Sequence, residues 1–372
     1  MKLRAAAILA VLLALPGCSG GLFGGGDDTS EIVLGMPVPL SGDSAAIGPY
    51  MRNGAQLAID ELNAKGGVLG RKLKLAAEDD ACDPQTATAA ATKLVSQKVV
   101  ASVGGYCSGA TLPTLPVFDR AKIPVVIPAA NSDQLFEKKL PYVFLINSTG
   151  TQQAGTAVEW ATKQSLSRVV VVHDNTSYSK NIADLTSAAL KERSAGSVVI
   201  TKGEAEHGPA VTAVRAKNPD LVYFTGYYAD GGLFIRQLRQ AGYTGKIMVA
   251  DGSVDKQLIT IAGQDKAQGV YATMTGLPEF TPGAEQWISK YKEKFGSEPG
   301  PYSTQSYDAV RLVADALTRA ASTDGDKLRK ALEETKAFPM FSGPLSFTPQ
   351  HTLAVSGFVI LEVKGSRFEL VK

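Results

Sequence analysis

Val99-Val100-Ala101-Ser102-Val103-Gly104-Gly105-Tyr106-Cys107-Ser108-Gly109-Ala110-Thr111 is a short apolar, β-branched run that ends in two glycines and then opens into small, hydroxyl-bearing residues. The pattern predicts a strand, a tight turn and the start of a helix. A helix start leaves backbone N–H groups without intrahelical partners, and together with the helix dipole they favour an anion. Two readings stay open. One is a plain strand–turn–helix with a serine cap; the other is an anion site to which Ser108 and Thr111 add hydroxyl donors.

Outward from this stretch, strand and helix alternate in both directions. Residues 31–40 predict a buried strand; Met51, Ala55, Ala58 and Leu62 then recur at helical spacing until Lys65-Gly66-Gly67 stops the helix. A second strand is expected over 72–77, and Pro84 suits the first turn of a helix reaching Gln97. Pro113 and Pro116 predict that the helix after the glycine turn is short or starts late. A fourth strand is expected over 123–127. The rhythm then restarts, with helices over 151–163 and 181–193 and strands over 168–173, 197–202, 221–225 and 246–250. Helices over 283–295 and 303–320 read as a return to the first unit, and Phe358-Val359-Ile360-Leu361 and Phe368-Glu369-Leu370 read as strands. This predicts an α/β protein with two doubly wound parallel-sheet lobes. A cleft between the carboxyl ends of their strands is the expected ligand site.

The 372 residues are 44% hydrophobic and 20% charged, ordinary globular composition with length enough for two domains. Lys2 and Arg4 precede an apolar run from Ala5 to Leu15, too short and one-sided for a membrane span, which reads as a secretory signal. It ends at Leu15-Pro16-Gly17-Cys18. That ending resembles the lipobox of bacterial lipoproteins, with Pro16 where small or apolar residues are commoner; plain secretion is the other reading. The resemblance implies that residues 1–18 are a lipoprotein signal ending at a lipidated Cys18, that a lipid anchor is the membrane contact, and that the protein lies in the periplasm or cell envelope. Residues 19–30, rich in glycine and serine, read as a flexible tether. Without Lys2 and Arg4 the chain carries 36 basic and 36 acidic residues, so nothing steers it toward nucleic acid or an anionic surface.

With Cys18 set aside, Cys82 and Cys107 remain in an oxidising compartment, as a disulfide or as two buried thiols. A bond between them would pin the end of the second strand against the glycine turn and stabilise the fold by about 3 kcal/mol. His173, His207 and His351 are far apart and lack metal-ligand spacing. The sequence holds no Gly-x-Ser-x-Gly elbow, no Walker A loop and no Gly-x-Gly-x-x-Gly after a strand. Ser108 has no base near it in sequence. Neither an enzyme nor a cofactor is expected.

Over nearly all of its length past the leader, the chain resembles the periplasmic leucine/isoleucine/valine-binding proteins of ABC importers. The resemblance is carried, in shared order, by Asn63-Ala64-Lys65-Gly66-Gly67, Asp79-Asp80-Ala81-Cys82-Asp83-Pro84, Cys107-Ser108, Pro128-Ala129-Ala130, Val172-His173-Asp174, Gly226-Tyr227 and Gly343-Pro344-Leu345. It implies a type I periplasmic-binding fold: lobe 1 from residues 31–147 with 276–355, lobe 2 from 148–275 with 356–372, a three-segment hinge, and a Cys82–Cys107 disulfide. It also implies that Ser108 and the backbone of Ala129 meet the ligand carboxylate. Asn131, whose amide can donate, joins them where the family has a small hydroxyl residue. Asp251 holds the ligand ammonium where the family has glutamate. Tyr178 and Tyr227 close over the ligand; Ile47 and Tyr106 replace a tyrosine and a leucine of the side-chain pocket, which Tyr302 also lines. The implied partners are a small-molecule ligand, an amino acid first, and ABC permease subunits onto which a monomer docks. The same fold also suits an amide, γ-aminobutyrate or an aromatic acid, in an importer or a sensor.

Overall fold

The computed structural model describes residues 31–371, so the expectations for the leader, for Cys18 and for the 19–30 tether lie outside the described residues. The chain runs β1 (Ile32–Val38), α1 (Ile47–Ala64), β2 (Leu73–Asp79), α2 (Pro84–Ser96), β3 (Ala101–Ser102), α3 (Ser108–Arg120), β4 (Val125–Ile127), α4 (Gln134–Glu137) and β5 (Val143–Leu145). It continues through α5 (Gly150–Lys163), β6 (Val169–His173), α6 (Ser177–Leu190), β7 (Ser194–Val199), α7 (Gly208–Ala216), β8 (Leu221–Phe224), α8 (Tyr228–Gln240), β9 (Lys246–Val249), α9 (Lys256–Ala262), α10 (Gln264–Ala267) and β10 (Val270–Thr275). Last come α11 (Glu285–Phe295), α12 (Ser303–Ala320), α13 (Gly325–Glu333), β11 (Phe338–Met340), β12 (Gly343–Leu345), β13 (Phe358–Lys364) and β14 (Arg367–Leu370).

Two sheets organise these elements. The first, in the order β2-β1-β3-β4-β5, is parallel throughout. The second, β14-β13-β10-β9-β8-β6-β7, is parallel from β10 to β7 but ends in two antiparallel strands, β13 and β14. Those two strands make the second sheet mixed rather than purely parallel. A short link at Gly365 lets β14 fold straight back on β13, which a parallel crossover of a dozen residues could not do. The fully buried Val169-Val170-Val171-Val172 run of β6 is what a strand covered on both faces requires.

The chain passes between the two sheets three times: before α5, after β10 and before β13. The first passage is fixed by a capping box, with Thr149 accepting from Gln152 N while the Gln152 side chain accepts from Thr149 N. The first and third are tied together by Gly357 N donating to Ser148 Oγ at 2.8 Å. Helices α11 and α12 pack on α1, and Lys290 pairs with Glu61 at 2.6 Å, so the late helices do return to the first sheet.

Several local expectations change. Pro113 and Pro116 lie inside α3 without shortening it. They are three residues apart and half-buried, and the carbonyls that they leave without an amide donor, those of Gly109 and Leu112, belong to half-buried residues that water can reach. Strand β4 starts at Val125 because Pro124 offers no N–H to a ladder; its carbonyl accepts from Ser102 N instead. The strands over 143–145 and 270–275 and the helix over 228–240 add elements that the sequence pattern does not announce. Among the described residues no helix is long and apolar enough to cross a membrane.

Candidate functional site

The site is built from loops that leave the carboxyl ends of parallel strands: β3 and β4 in the first sheet, β6, β8 and β9 in the second. In each sheet the strand order reverses beside these loops, at β1/β3 and at β6/β8, where open α/β sheets form a crevice.

After β3 the chain must pass close to β1. A Cβ on Gly104 would lie 2.3 Å from Pro37 O, and Gly105 has φ +111°, so both positions need glycine. Cys107 then caps α3 by its backbone alone, leaving its sulfur for the disulfide with Cys82. Ser108, wholly buried, is the first residue of α3, and its Oγ accepts from Ser132 N at 3.3 Å. The Ser108 backbone N–H faces the Tyr227 phenol; burial and nearby Asp174 and Asp251 push that phenol well above its ordinary pKa, and the Ser108 hydrogen bond offsets part of the rise. Thr111 is turned away, its hydroxyl donating back to Cys107 O at 3.0 Å, so the second hydroxyl expected at the helix start is spent inside the helix.

The loop after β4 carries Ala129 and Asn131. The Ala129 carbonyl accepts from Asn147 Nδ2 at 2.5 Å. Asn131 is fully buried; its Nδ2 donates to Gln153 Oε1 at 2.8 Å and approaches Asp251 Oδ2 at 3.5 Å, while its Oδ1 has no partner among the described residues.

Asp251 opens a short 3-10 turn after β9 and is 2% exposed. Its Oδ1 accepts from Tyr178 Oη at 2.5 Å, Gln153 Nε2 at 2.9 Å and Gly252 N at 3.1 Å; its Oδ2 accepts from Tyr302 Oη at 2.7 Å. None of these donors carries a charge. Burial therefore raises the Asp251 pKa, and the hydrogen bonds from Tyr178, Tyr302, Gln153 and Gly252 recover only part of the shift. Tyr302 reaches the carboxylate from a left-handed backbone, φ +62°, at the N-cap of α12. That conformation is costly for a bulky residue and holds only where the surroundings fix it.

Four tyrosine rings follow one another around the carboxylate. Tyr178 packs on Tyr227 at 4.9 Å between centroids, Tyr227 on Tyr106 at 5.7 Å, and Tyr106 on Tyr302 at 5.6 Å. The Tyr106 hydroxyl, from the first-sheet side, donates to Gly252 O on the second-sheet side at 3.3 Å. Ile47, at the start of α1, is buried in the same apolar cluster as these rings and brings no polar atom. The tertiary structure thus gathers Ser108, Asn131, Tyr106, Tyr178, Tyr227, Tyr302 and Asp251 in one place. It adds Gln153, which bonds Asn131, Asp251 and, at 2.9 Å, Thr273 Oγ1. In sequence the capping pair Thr149 and Gln152 is legible, but Gln153 beside it carries no signature. Among the described residues no group of three or more His, Cys, Asp or Glu side chains is placed to hold a metal.

Two α/β units meet at these loops, one bringing the N-terminus of α3 and the other the buried Asp251 carboxylate. The chain belongs to the periplasmic binding protein family, whose profile matches residues 31–367. It is 33% identical over 341 residues to an amino acid binding protein of Pseudomonas aeruginosa, covering 90% of each chain. The crystal structure of a leucine binding protein from Thermotoga maritima superposes with a TM-score of 0.85 at 28% identity, over 92% of this chain and 98% of that one. A branched-chain amino acid transporter substrate binding protein from Streptococcus pneumoniae, crystallised with isoleucine, gives 0.84 at 28% identity, over 92% of this chain and all of that one. The chain is accordingly a binding protein of the periplasmic type with the substrate-binding fold of branched-chain amino acid transporters, not an enzyme.

Proposed function

We propose that this chain is the substrate-binding component of an ABC importer and captures an amino acid between its two lobes, residues 31–147 with 276–355 and residues 148–275 with 356–372. The observation that carries the reading is the buried Asp251, whose present donors are all neutral and which the Tyr178–Tyr227 ring pair links to the N-terminus of α3 at Ser108. A zwitterion satisfies both walls at once. Its ammonium supplies the cation that Asp251 lacks, and its carboxylate displaces the Tyr227 phenol from the Ser108 N–H and takes the Ser108 hydroxyl as well, with the Asn131 and Ala129 segment beside them. Each charge would be costly to bury alone, so the pair is held only when both lobes contribute. Ligand binding then favours the state in which the lobes meet.

In this reading Tyr178 and Tyr227 cover the ligand, and Ile47, Tyr106 and Tyr302 bound its side chain. The loaded protein docks as a monomer on permease subunits, tethered through a lipid at Cys18 on the outer side of a membrane. The test is a thermal-shift screen of the mature chain, unfolded and refolded to strip carried-over ligand, against amino acids, γ-aminobutyrate, amides and aromatic acids. A ligand at a hundred times its Kd adds about 2.7 kcal/mol, which is visible as a shift. One or a few amino acids should stabilise the protein, and Asp251→Ala should weaken their binding by about 2–5 kcal/mol. Stabilisation by amine-free ligands alone would overturn the assignment of Asp251.

A further inference from the structure

We infer that Asn181 is a positioning residue for ligand retention: it clasps α6 of the second-sheet unit to loop 131–133 of the first and slows the escape of a bound amino acid without touching it. Its role rests on the amino acid reading above, in which Asn181 has no part.

Ser177 and Asn181 are four residues apart on α6 and share a face of that helix. That face meets the loop after β4: the Ser177 carbonyl accepts from Ser132 Oγ at 3.3 Å, and Asn181 Oδ1 accepts from Asp133 N at 3.1 Å. Tyr178, in the same turn of α6, donates to Asp251. On the other side of the loop, Ser132 N donates to Ser108 Oγ at 3.3 Å, and Asn131 Nδ2 donates to Gln153 Oε1 at 2.8 Å. One short loop thus stands between α6 and the Ser108 anchor. A rotation that parts the two sheets carries α6 off the loop, and Ser132 and Asp133 lose both bonds to it. Those bonds belong to the state in which the units meet, so they favour that state whatever the ligand's side chain is.

Gly150, the first residue of α5, leaves the space that the Asn181 amide fills. A Cβ on Gly150 would lie 2.5 Å from Asn181 Oδ1, against 3.2 Å from Asp133 Oδ1 and 3.4 Å from Asn131 O. Gly150 does not have a positive φ, so alanine there meets no backbone strain and its main consequence is to push the Asn181 amide away. The loop itself stays tied to the first passage between the sheets. Gly150 N donates to Asn131 O at 2.7 Å, Thr151 N donates to Asp133 Oδ1 at 3.1 Å, and Thr151 Oγ1 donates to Asp133 Oδ2. Removing the Asn181 amide therefore frees α6 from a loop that other bonds still hold. A single hydrogen bond of this kind changes an equilibrium by about three- to tenfold.

The experiment compares the refolded mature wild type with Asn181→Ala, Gly150→Ala and the double variant. The standard amino acids are titrated by calorimetry, association and dissociation rates of those that bind are read by stopped-flow fluorescence, and each ligand-free chain is melted and measured by small-angle scattering. Asn181→Ala should raise the dissociation rate of every amino acid that binds by one common factor, about three- to tenfold, and leave association within about twofold. Gly150→Ala should do the same. The double variant should release ligand no faster than Asn181→Ala alone, because the added methyl group then meets no amide. An unchanged dissociation rate, with or without a lower melting midpoint, overturns the inference. So do additive effects in the double variant, and so do factors that differ between amino acids, which would make Asn181 a ligand contact. Either single variant decides if the other fails to fold. Failure of the amino acid reading looks different: no amino acid binds the wild type. The clasp is then judged by scattering, where ligand-free Asn181→Ala should have a larger radius of gyration than the wild type and an unchanged radius overturns the inference.

Discussion

The Gln153 amide donates to Asp251 Oδ1 at 2.9 Å while its own oxygen accepts from Asn131 Nδ2 at 2.8 Å, so one fully buried side chain on α5 bonds a residue that follows β4 of the first sheet to one that follows β9 of the second. The same Nε2 also reaches Thr273 on β10, which fixes the amide's orientation. Gln153→Leu keeps a side chain of similar size and removes all three bonds. Leaving buried polar groups unpaired costs about 1–3 kcal/mol, so the variant should melt earlier and bind amino acids roughly tenfold or more weakly in calorimetry. Gln153→Glu should be worse at neutral pH and recover toward low pH, since a second carboxylate beside Asp251 makes one of the two hold a proton.

Amino acid affinity should depend on Asp251's protonation. Burial raises the carboxyl's pKa when its donors are neutral, and a bound ammonium favours the ionised form. Binding therefore expels a proton wherever Asp251 is protonated, and affinity falls as pH drops through the raised pKa. Titrations in buffers of different ionisation enthalpy should show proton release in that range. Asp251→Asn should show none, whatever its residual affinity.

Asp80 is 1% exposed, accepts from Cys82 N at 2.9 Å, and is pushed up by burial from 3.8 to about 6. A carboxyl raised in the folded state adds stability below its unfolded value, and that contribution is lost as pH rises through about 6. Above that range the ionised, buried group costs up to about 3 kcal/mol. Asp80→Asn should raise the denaturation midpoint at pH 8 and leave it nearly unchanged at pH 4.

The Cys82–Cys107 disulfide joins the end of β2 to the N-cap of α3, closing a loop with a sequence separation of 25. Reduction, or Cys82→Ala with Cys107→Ala, should lower unfolding free energy by about 3 kcal/mol in urea titrations. Because Cys107 immediately precedes Ser108, ligand affinity should also fall, even below the denaturation range.

Much of the molecule is legible in its residues. Apolar runs ending in glycine or proline turns mark the strands, period-3.6 spacing marks α1 and α12, and the glycines after β3 mark the turn into α3. Five residues to which the resemblance gives ligand roles, Ser108, Asn131, Tyr178, Tyr227 and Asp251, come together in the structure, because each follows the carboxyl end of a strand within a few residues. Local sequence is enough there because a parallel strand delivers its following loop to a fixed edge of the sheet.

What only the tertiary structure decides is how side chains far apart in sequence divide a limited set of hydrogen bonds. Thr111 and Ser108 look alike in sequence, yet one hydroxyl donates back to the Cys107 carbonyl four residues earlier and the other accepts from Ser132 N in the loop after β4. Gln153 is one of two adjacent glutamines; the first caps α5 and the second reaches Asp251, 98 residues away. Tyr106, which the resemblance places in the side-chain pocket, finds its hydrogen-bond partner only in Gly252, 146 residues later, whose carbonyl holds its hydroxyl. Periodicity and turn chemistry are properties of neighbours along the chain and can be read there. The pairing of buried donors and acceptors is set by which loops the two sheets bring face to face, and no local pattern carries it.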